Sequence, residues 1–242
     1  MTTRTSRAAL AALLLTGALA GCSTTAANTQ EEPPAQGTVR AALADLPVHK
    51  TTAKDGYDRV AKFGTAWSDK TNAPGSNNAC DTRNDVLKRD LLDVQFRGTS
   101  TCVVSSGTLK KDPYTGKRIT FVRGPHTSGS IDVDHAVALS QAWKSGAQQL
   151  SQAERAALAN DPLNLIAVDG PANRQKGDKD ASQWLPPNTE FQCPYVARQV
   201  AVKKKYRLWV NPDEKKAMSR VLETCPSQVL PTEDTLGVAI PK

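Results

Sequence analysis

Apolar residues along the chain fall into short alternating runs and helical stripes, most of them bounded by residues that start or end an element. Ile131, Val133, Val137 and Leu139 alternate with smaller or polar positions, and 163–168 is largely apolar, so both stretches predict strands. Gly170-Pro171, directly after the second stretch, has the form of a helix entry. The predicted order there is strand, strand, helix. Asp81 caps a stretch in which Leu87, Leu91 and Val94 share one helical face. Ser151-Gln-Ala-Glu154 is a capping box for a helix to about Ala159, and Asn211-Pro212-Asp-Glu214 opens another with Met218, Val221, Leu222 and Cys225 inward. The basic stretch 196–206 fits a helix or a strand equally well. Asp112-Pro-Tyr-Thr-Gly116 is turn chemistry, and Trp184-Leu-Pro-Pro187 ends a helical stretch around an indole expected to be buried.

The pattern breaks down at both ends. Residues 1–21 carry Arg4 and Arg7, then a mostly apolar run from Ala8 to Ala20, which is the layout of a secretion signal. Leu19-Ala20-Gly21-Cys22 resembles the lipobox of bacterial lipoproteins, which implies lipid on Cys22 and an exported, membrane-anchored protein; plain secretion is the alternative. The apolar run is too short for an ordinary spanning helix, and the rest of the sequence suggests none. Residues 22–50 are rich in Thr, Ala, Gln, Glu and Pro, and are expected to be a flexible tether. The stretch 51–226 has the length of one domain, and 227–242 is expected to be an extended tail. No internal repeat is present.

Cysteine usage supports export. Without Cys22 there remain Cys80, Cys102, Cys193 and Cys225, an even number that predicts two disulfides. Four cysteines allow three pairings, and sequence order favours Cys80 with Cys102 and Cys193 with Cys225. The formal charge is +7, falling to +5 without the two arginines of residues 1–21, a modest excess that suits a polyanionic partner without proving one. Lys203-Lys204-Lys205 and Lys215-Lys216 are read as solvated helix faces.

The candidate chemistry lies on the strand, strand, helix segment. Asp134-His135 places a base beside an oxygen ligand; Asn164 and then Asn173-Arg-Gln-Lys176 follow. Water attacking a phosphodiester needs a cation to neutralise developing charge and a base to make the nucleophile, and Asp, Asn and His supply those parts. Three histidines, His49 in a linker, His126 in a loop and His135, are too few and too scattered for a histidine zinc site, and the cysteines show no C-x-x-C pair. Oxygen ligands favour a hard cation, Mg²⁺ or Mn²⁺. Neighbouring strand residues point to opposite faces, so Asp134 and His135 serve one site only if the strand ends or bulges there.

These residues resemble the HNH, or ββα-metal, endonucleases in the variant with Asp-His first and asparagine at the two later positions. The motif is most similar to the HNH domains of RNA-guided CRISPR nucleases and to secreted or restriction-associated proteins, including type IV restriction nucleases. Tyr57, Phe63-Gly64-x-Ala66-Trp67, Cys80-Asp-Thr-Arg-Asn84, Asp112 to Gly116 and Trp184 to Pro187 look like landmarks of the secreted group, extending the likeness over most of 57–225. The resemblance implies an α+β single domain with a ββα core, helices around it and two disulfides. It makes His135 the general base, Asp134 and Asn173 the metal ligands, Asn164 a brace that orients the histidine, and Lys176 a side chain pointed at the phosphate. Arg83, beside a cysteine, is a candidate phosphate contact.

The implied function is an exported metal-dependent endonuclease acting on DNA, and on RNA as a second substrate, with little sequence specificity, since no helix carries a set of base-reading side chains. A non-catalytic polyanion-binding lipoprotein and a structural envelope lipoprotein, each retaining the fold, are the alternatives; no protein partner is inferable.

Overall fold

A computed structural model divides the chain into two units, Met1–Glu32 and Pro33–Lys242. It describes residues 1, 2 and 36–236. The signal, Cys22, the first part of the tether and the last six residues lie outside the described residues. Among those described, no helix is long and apolar enough to cross a membrane.

The second unit is α+β, as the sequence led us to expect, and its centre is a two-stranded antiparallel ribbon. β4 (Ile131–His135) pairs with β5 (Leu165–Asp169) in unbroken register from Ile131↔Asp169 to His135↔Leu165. α6 (Gly170–Lys176) follows β5 at once, with Asp169 accepting from Ala172 N at 2.8 Å as its cap. Both faces of the ribbon are covered, which is why 163–168 reads as an apolar run rather than an alternation. On one face Ile131, Val133, Leu165 and Ala167 pack with α3 (Thr82–Asp90) and with a three-stranded antiparallel sheet, β1 (Leu92–Phe96), β2 (Val104–Leu109) and β3 (Ile119–Val122). On the other, Ile166, Val168 and Ala172 meet Tyr114, Trp184 and Tyr195. α3 also straps β5 from the side: Arg89 Nη2 donates to Leu165 O at 2.7 Å, and Ala167 N donates to Asp90 at 2.8 Å.

Three helices form as their caps predict. Asp81 caps α3, while Ser151 and Asn211 make capping boxes for α5 (Gln152–Asn160) and α8 (Pro212–Glu223). The undecided stretch 196–206 is helical, part of α7 (Gln192–Lys205), with Val196 and Val200 fully buried one turn apart. Two assignments shift. Val94 lies on β1, because the helix stops at Asp90 where the carboxylate turns to serve β5. Leu139 opens α4 (Leu139–Lys144) rather than continuing the strand, because Asn164 takes over the backbone after His135.

The tether and tail readings need correction. α1 (Val39–Asp45) is capped by Thr38, and Val39, Ala42, Leu43 and Leu46 are buried against Val200 of α7 and Met218 and Leu222 of α8. Their i, i+3, i+4, i+7 spacing is a helical stripe that the surrounding small and polar residues mask. Residue 229 closes a bridge with Thr38, and Glu233 pairs with Lys205. The folded unit therefore starts before residue 51 and includes part of 227–242. The lysine runs are only partly solvated. Lys203 is fully buried, 3.0 Å from Glu214 and donating to Trp209 O at 2.9 Å, and Lys205 pairs with Asp161 at 2.6 Å.

Cys80–Cys102 ties the start of α3 to the β1–β2 connection, and Cys193–Cys225 ties α7 to the end of α8, the pairing that sequence order favoured. Loops of 22 and 32 residues correspond to about 3–4 kcal/mol of stabilisation each. Reduction and alkylation of both are expected to lower the melting temperature by more than about 10 °C, at roughly 2–4 °C per kcal/mol for a domain of this size. Superimposable melting curves before and after reduction would contradict this.

Candidate active site

The alternation of β4 sends Asp132 and Asp134 toward α6 and His135 to the opposite side. β4 keeps regular pairing to His135 and ends there. Ala136 N then donates to Asn164 O at 2.7 Å and Val137 N to Asn164 Oδ1 at 2.9 Å, while Asn164 Nδ2 donates to Val137 O at 3.3 Å. Asn164, wholly buried, thus replaces the ladder just where the strand stops. Because the strand stops, side chains of opposite orientation line one cleft of about 340 Å³, shared by Asp134, His135, Asn173, Trp67, Arg59 and Arg174.

His135 is 8% exposed, and its ring lies 5.8 Å from that of Trp67 with the planes 14° apart. Its Nε2 is 2.9 Å from Ala159 O. A carbonyl only accepts, so Nε2 carries the hydrogen and Nδ1 keeps its lone pair. Burial drives the imidazole pKa down to about 3, against the opposing pull of the Ala159 carbonyl, so the ring is neutral at ordinary pH. Trp67 holds φ at 63°, unusual for a bulky residue, and is fixed by Thr82 N donating to its carbonyl at 3.3 Å. Sequence reading treated Trp67 as a structural landmark; its place over His135 depends on a long-range fold that no local pattern announces.

Asp134 is the centre of a buried polar network. Tyr114 OH donates to its Oδ2 at 2.5 Å, and Lys176 Nζ lies 3.0 Å from Oδ2 and 3.2 Å from Oδ1. Lys176 also donates to His135 O at 2.9 Å and is fully buried. The expectation that Lys176 points at a phosphate is therefore corrected: its ammonium is committed to Asp134 and the strand end. Burial raises the Asp134 pKa, with Lys176 and then Tyr114 opposing the rise. The cations that do line the cleft are Arg59 and Arg174.

Asn173, one turn before Lys176 on α6, is half-buried, and its Nδ2 donates to Asp132 at 3.3 Å. That leaves its amide oxygen as the group able to hold a cation. Asp132 was missed in the sequence, although its position two residues before Asp134 puts it on the same strand face. Among the described residues no three His, Cys, Asp or Glu side chains converge as a metal cluster. The donors at hand are oxygens of Asp134, Asn173 and nearby Asp132. Oxygen donors of carboxylate and amide type fit a hard cation that retains several waters.

Arg83 stands outside this cleft, donating to Ile131 O at 3.3 Å with its guanidinium 5.9 Å from the Phe121 ring. His49 packs edge-on to Trp209 at 5.4 Å, and His126 is exposed on a loop.

Comparison with known proteins gives two likenesses. Residues 81–221 match the family described as the C-terminal domain of GmrSD restriction endonucleases. The chain is also 36% identical over 194 residues to a protein of Arthroderma benhamiae described as an uncharacterized secreted protein, covering 79% of this chain and 87% of that one. No solved structure matches.

Proposed function

This chain belongs to the family of the GmrSD restriction endonuclease C-terminal domain, and from that membership we propose that it is an exported, metal-dependent endonuclease of the HNH type. It hydrolyses phosphodiester bonds of DNA, with RNA as a second substrate, and has little sequence preference. The observation that carries the reading is His135: a neutral imidazole with Nε2–H fixed to Ala159 O, and so a free lone pair at Nδ1, in a cleft that also holds Asp134 and Asn173.

In this reading His135 Nδ1 takes the proton from the water that attacks phosphorus. The Ala159 carbonyl keeps its contact with Nε2–H as the ring becomes charged, and the face of Trp67 offers the new cation a π partner. Asn164 holds the peptide that follows the base, and so its aim. Lys176 and Tyr114 hold Asp134 in one orientation. The oxygens of Asp134 and Asn173 would hold Mg²⁺ or Mn²⁺, which when bound would neutralise charge developing on the phosphoryl group. Arg59 and Arg174 bring positive charge to the cleft wall. Backbone contacts of this kind fix position without reading sequence.

Export is supported by the two disulfides and by the description of the relative as secreted. A lipid on Cys22 is the finer proposal. In the native host, Cys22→Ser is expected to abolish fatty-acid labelling and release the protein to the medium; an unlabelled wild type found free in the medium would make it a secreted enzyme instead.

The function itself is tested by incubating the purified protein with supercoiled, linear and single-stranded DNA and with RNA, each with Mg²⁺ or Mn²⁺. Internal cuts in DNA at scattered positions are expected. Binding without cleavage under every condition would overturn the enzymatic reading. Asn173→Ala isolates the metal role better than a change at Asp134, because it orphans no buried charge. It is expected to move half-maximal activity to higher Mn²⁺ with little change in melting temperature; an unchanged metal titration removes Asn173 from the ligand set.

A further inference from the structure

We propose that Arg83, Ser130 and Arg174 form a phosphate subsite beside the reaction centre, which binds a backbone phosphate near the one that is cleaved. The proposal rests on the nuclease reading and adds a substrate contact to it.

The argument begins with two donors that have no acceptor. Arg83, on α3, spends Nη2 on Ile131 O at 3.3 Å, while its Nη1 is buried without a hydrogen-bond partner. The Oγ of Ser130, the residue next to Ile131, is likewise buried without one. An unpaired buried donor is costly, and more so when it is charged. Two of them at the same end of β4 point to an acceptor that arrives from outside. The residues that carry them are both only half-buried, so the surface is close.

A third donor adjoins them. Arg174 Nη1 lies 3.5 Å from Asp132, and its side chain is 62% exposed. It meets the turn that carries Ser130 at Gly170: a Cβ there would stand 2.1 Å from Gly129 O and 3.1 Å from Arg174 Nη1. Only glycine lets the turn and α6 come so close.

The charge is right for an anion. Arg83 and Arg123 both sit over the Phe121 ring, at 5.9 and 5.8 Å, and Arg174 adds a third guanidinium. The carboxylates that act on Arg83 are Asp132 and Asp81, two against three guanidiniums, and Asp81 also caps α3 and accepts from Asn84. Positive charge is in excess. A guanidinium fork with a hydroxyl donor beside it is the chemistry that recognises a phosphate.

The test is fluorescence anisotropy of a labelled 20-base-pair DNA duplex in EDTA, over a range of salt, on the whole protein and on three variants. Arg83→Gln keeps a donor for Ile131 O, Arg174→Gln changes an exposed side chain, and Ser130→Ala removes only the hydroxyl. Arg83→Gln and Arg174→Gln are each expected to raise Kd about tenfold and to reduce the slope of log affinity against log salt by about 0.9. Ser130→Ala is expected to weaken binding at unchanged slope. Melting temperatures report folding; if Arg83→Gln fails to fold, Arg174→Gln and Ser130→Ala decide. Unchanged Kd and slope in the folded variants, with a wild type that binds, overturn the subsite and leave the nuclease reading standing. A wild type that does not bind DNA overturns both.

Discussion

His135→Ala is expected to reduce the cleavage rate by about 10²- to 10⁴-fold while leaving DNA affinity close to wild type. The imidazole has a fixed tautomer, since Ala159 O holds its Nε2–H, and that leaves the Nδ1 lone pair to accept a proton. It is also neutral where the reaction runs, because burial holds its pKa far below the ordinary histidine range. Removing the ring leaves a void beneath Trp67, so a modest fall in melting temperature accompanies the change. Rate and stability are separable by measuring single-turnover cleavage well below the melting point. Cleavage within a few-fold of wild type in a folded preparation would remove His135 from the role of base.

Lys176→Ala is expected to cost about 3–5 kcal/mol of stability, because it leaves the buried carboxylate of Asp134 without its cation. For a domain of this size that is roughly 10 °C or more in melting temperature. The loss is a consequence of unpairing, not a measure of what the pair contributes. Lys176→Met combined with Asp134→Asn is therefore expected to be more stable than Lys176→Met alone. A phosphate-binding lysine would behave differently: unchanged melting, with a shallower salt dependence of DNA binding. That outcome would restore the reading made from the sequence and contradict the network seen here.

The contrast at Lys176 shows where local sequence stops being informative. Strand, strand and helix were legible at 131–135, 165–169 and 170–176 because alternation, apolar runs and a Gly-Pro entry act over a few residues. The caps at Asp81, Ser151 and Asn211 were legible for the same reason. The fate of Lys176 depends on Asp134, 42 positions away, and on Tyr114 beyond it. Lys203 likewise looked solvated until Glu214 was seen to face it on the next helix. α1 was hidden because its stripe is short and Ala-rich, and what it packs on, α7 and α8, lies about 150 positions or more later. Asp132 is a different kind of miss: its place on the Asp134 face follows from strand alternation alone.

In the candidate site, the fold brings Asp134, His135 and Asn173 to one cleft with Asn164 bracing its wall, a convergence that the order of these residues along two strands and a helix made legible. The hydrogen bond that fixes the tautomer comes from a backbone carbonyl at the end of α5, which carries no sequence signature. The same holds for the stacked Trp67, whose left-handed backbone is set by contacts with α3.

The most direct test of the central claim is the rate of supercoiled-plasmid nicking by the purified protein in Mg²⁺, after EDTA, and after Mg²⁺ is restored in excess. The account predicts nicking that EDTA abolishes and Mg²⁺ returns, and that His135→Ala fails to recover at any Mg²⁺ concentration; nicking that persists in EDTA, or that is equally fast in His135→Ala, would contradict it.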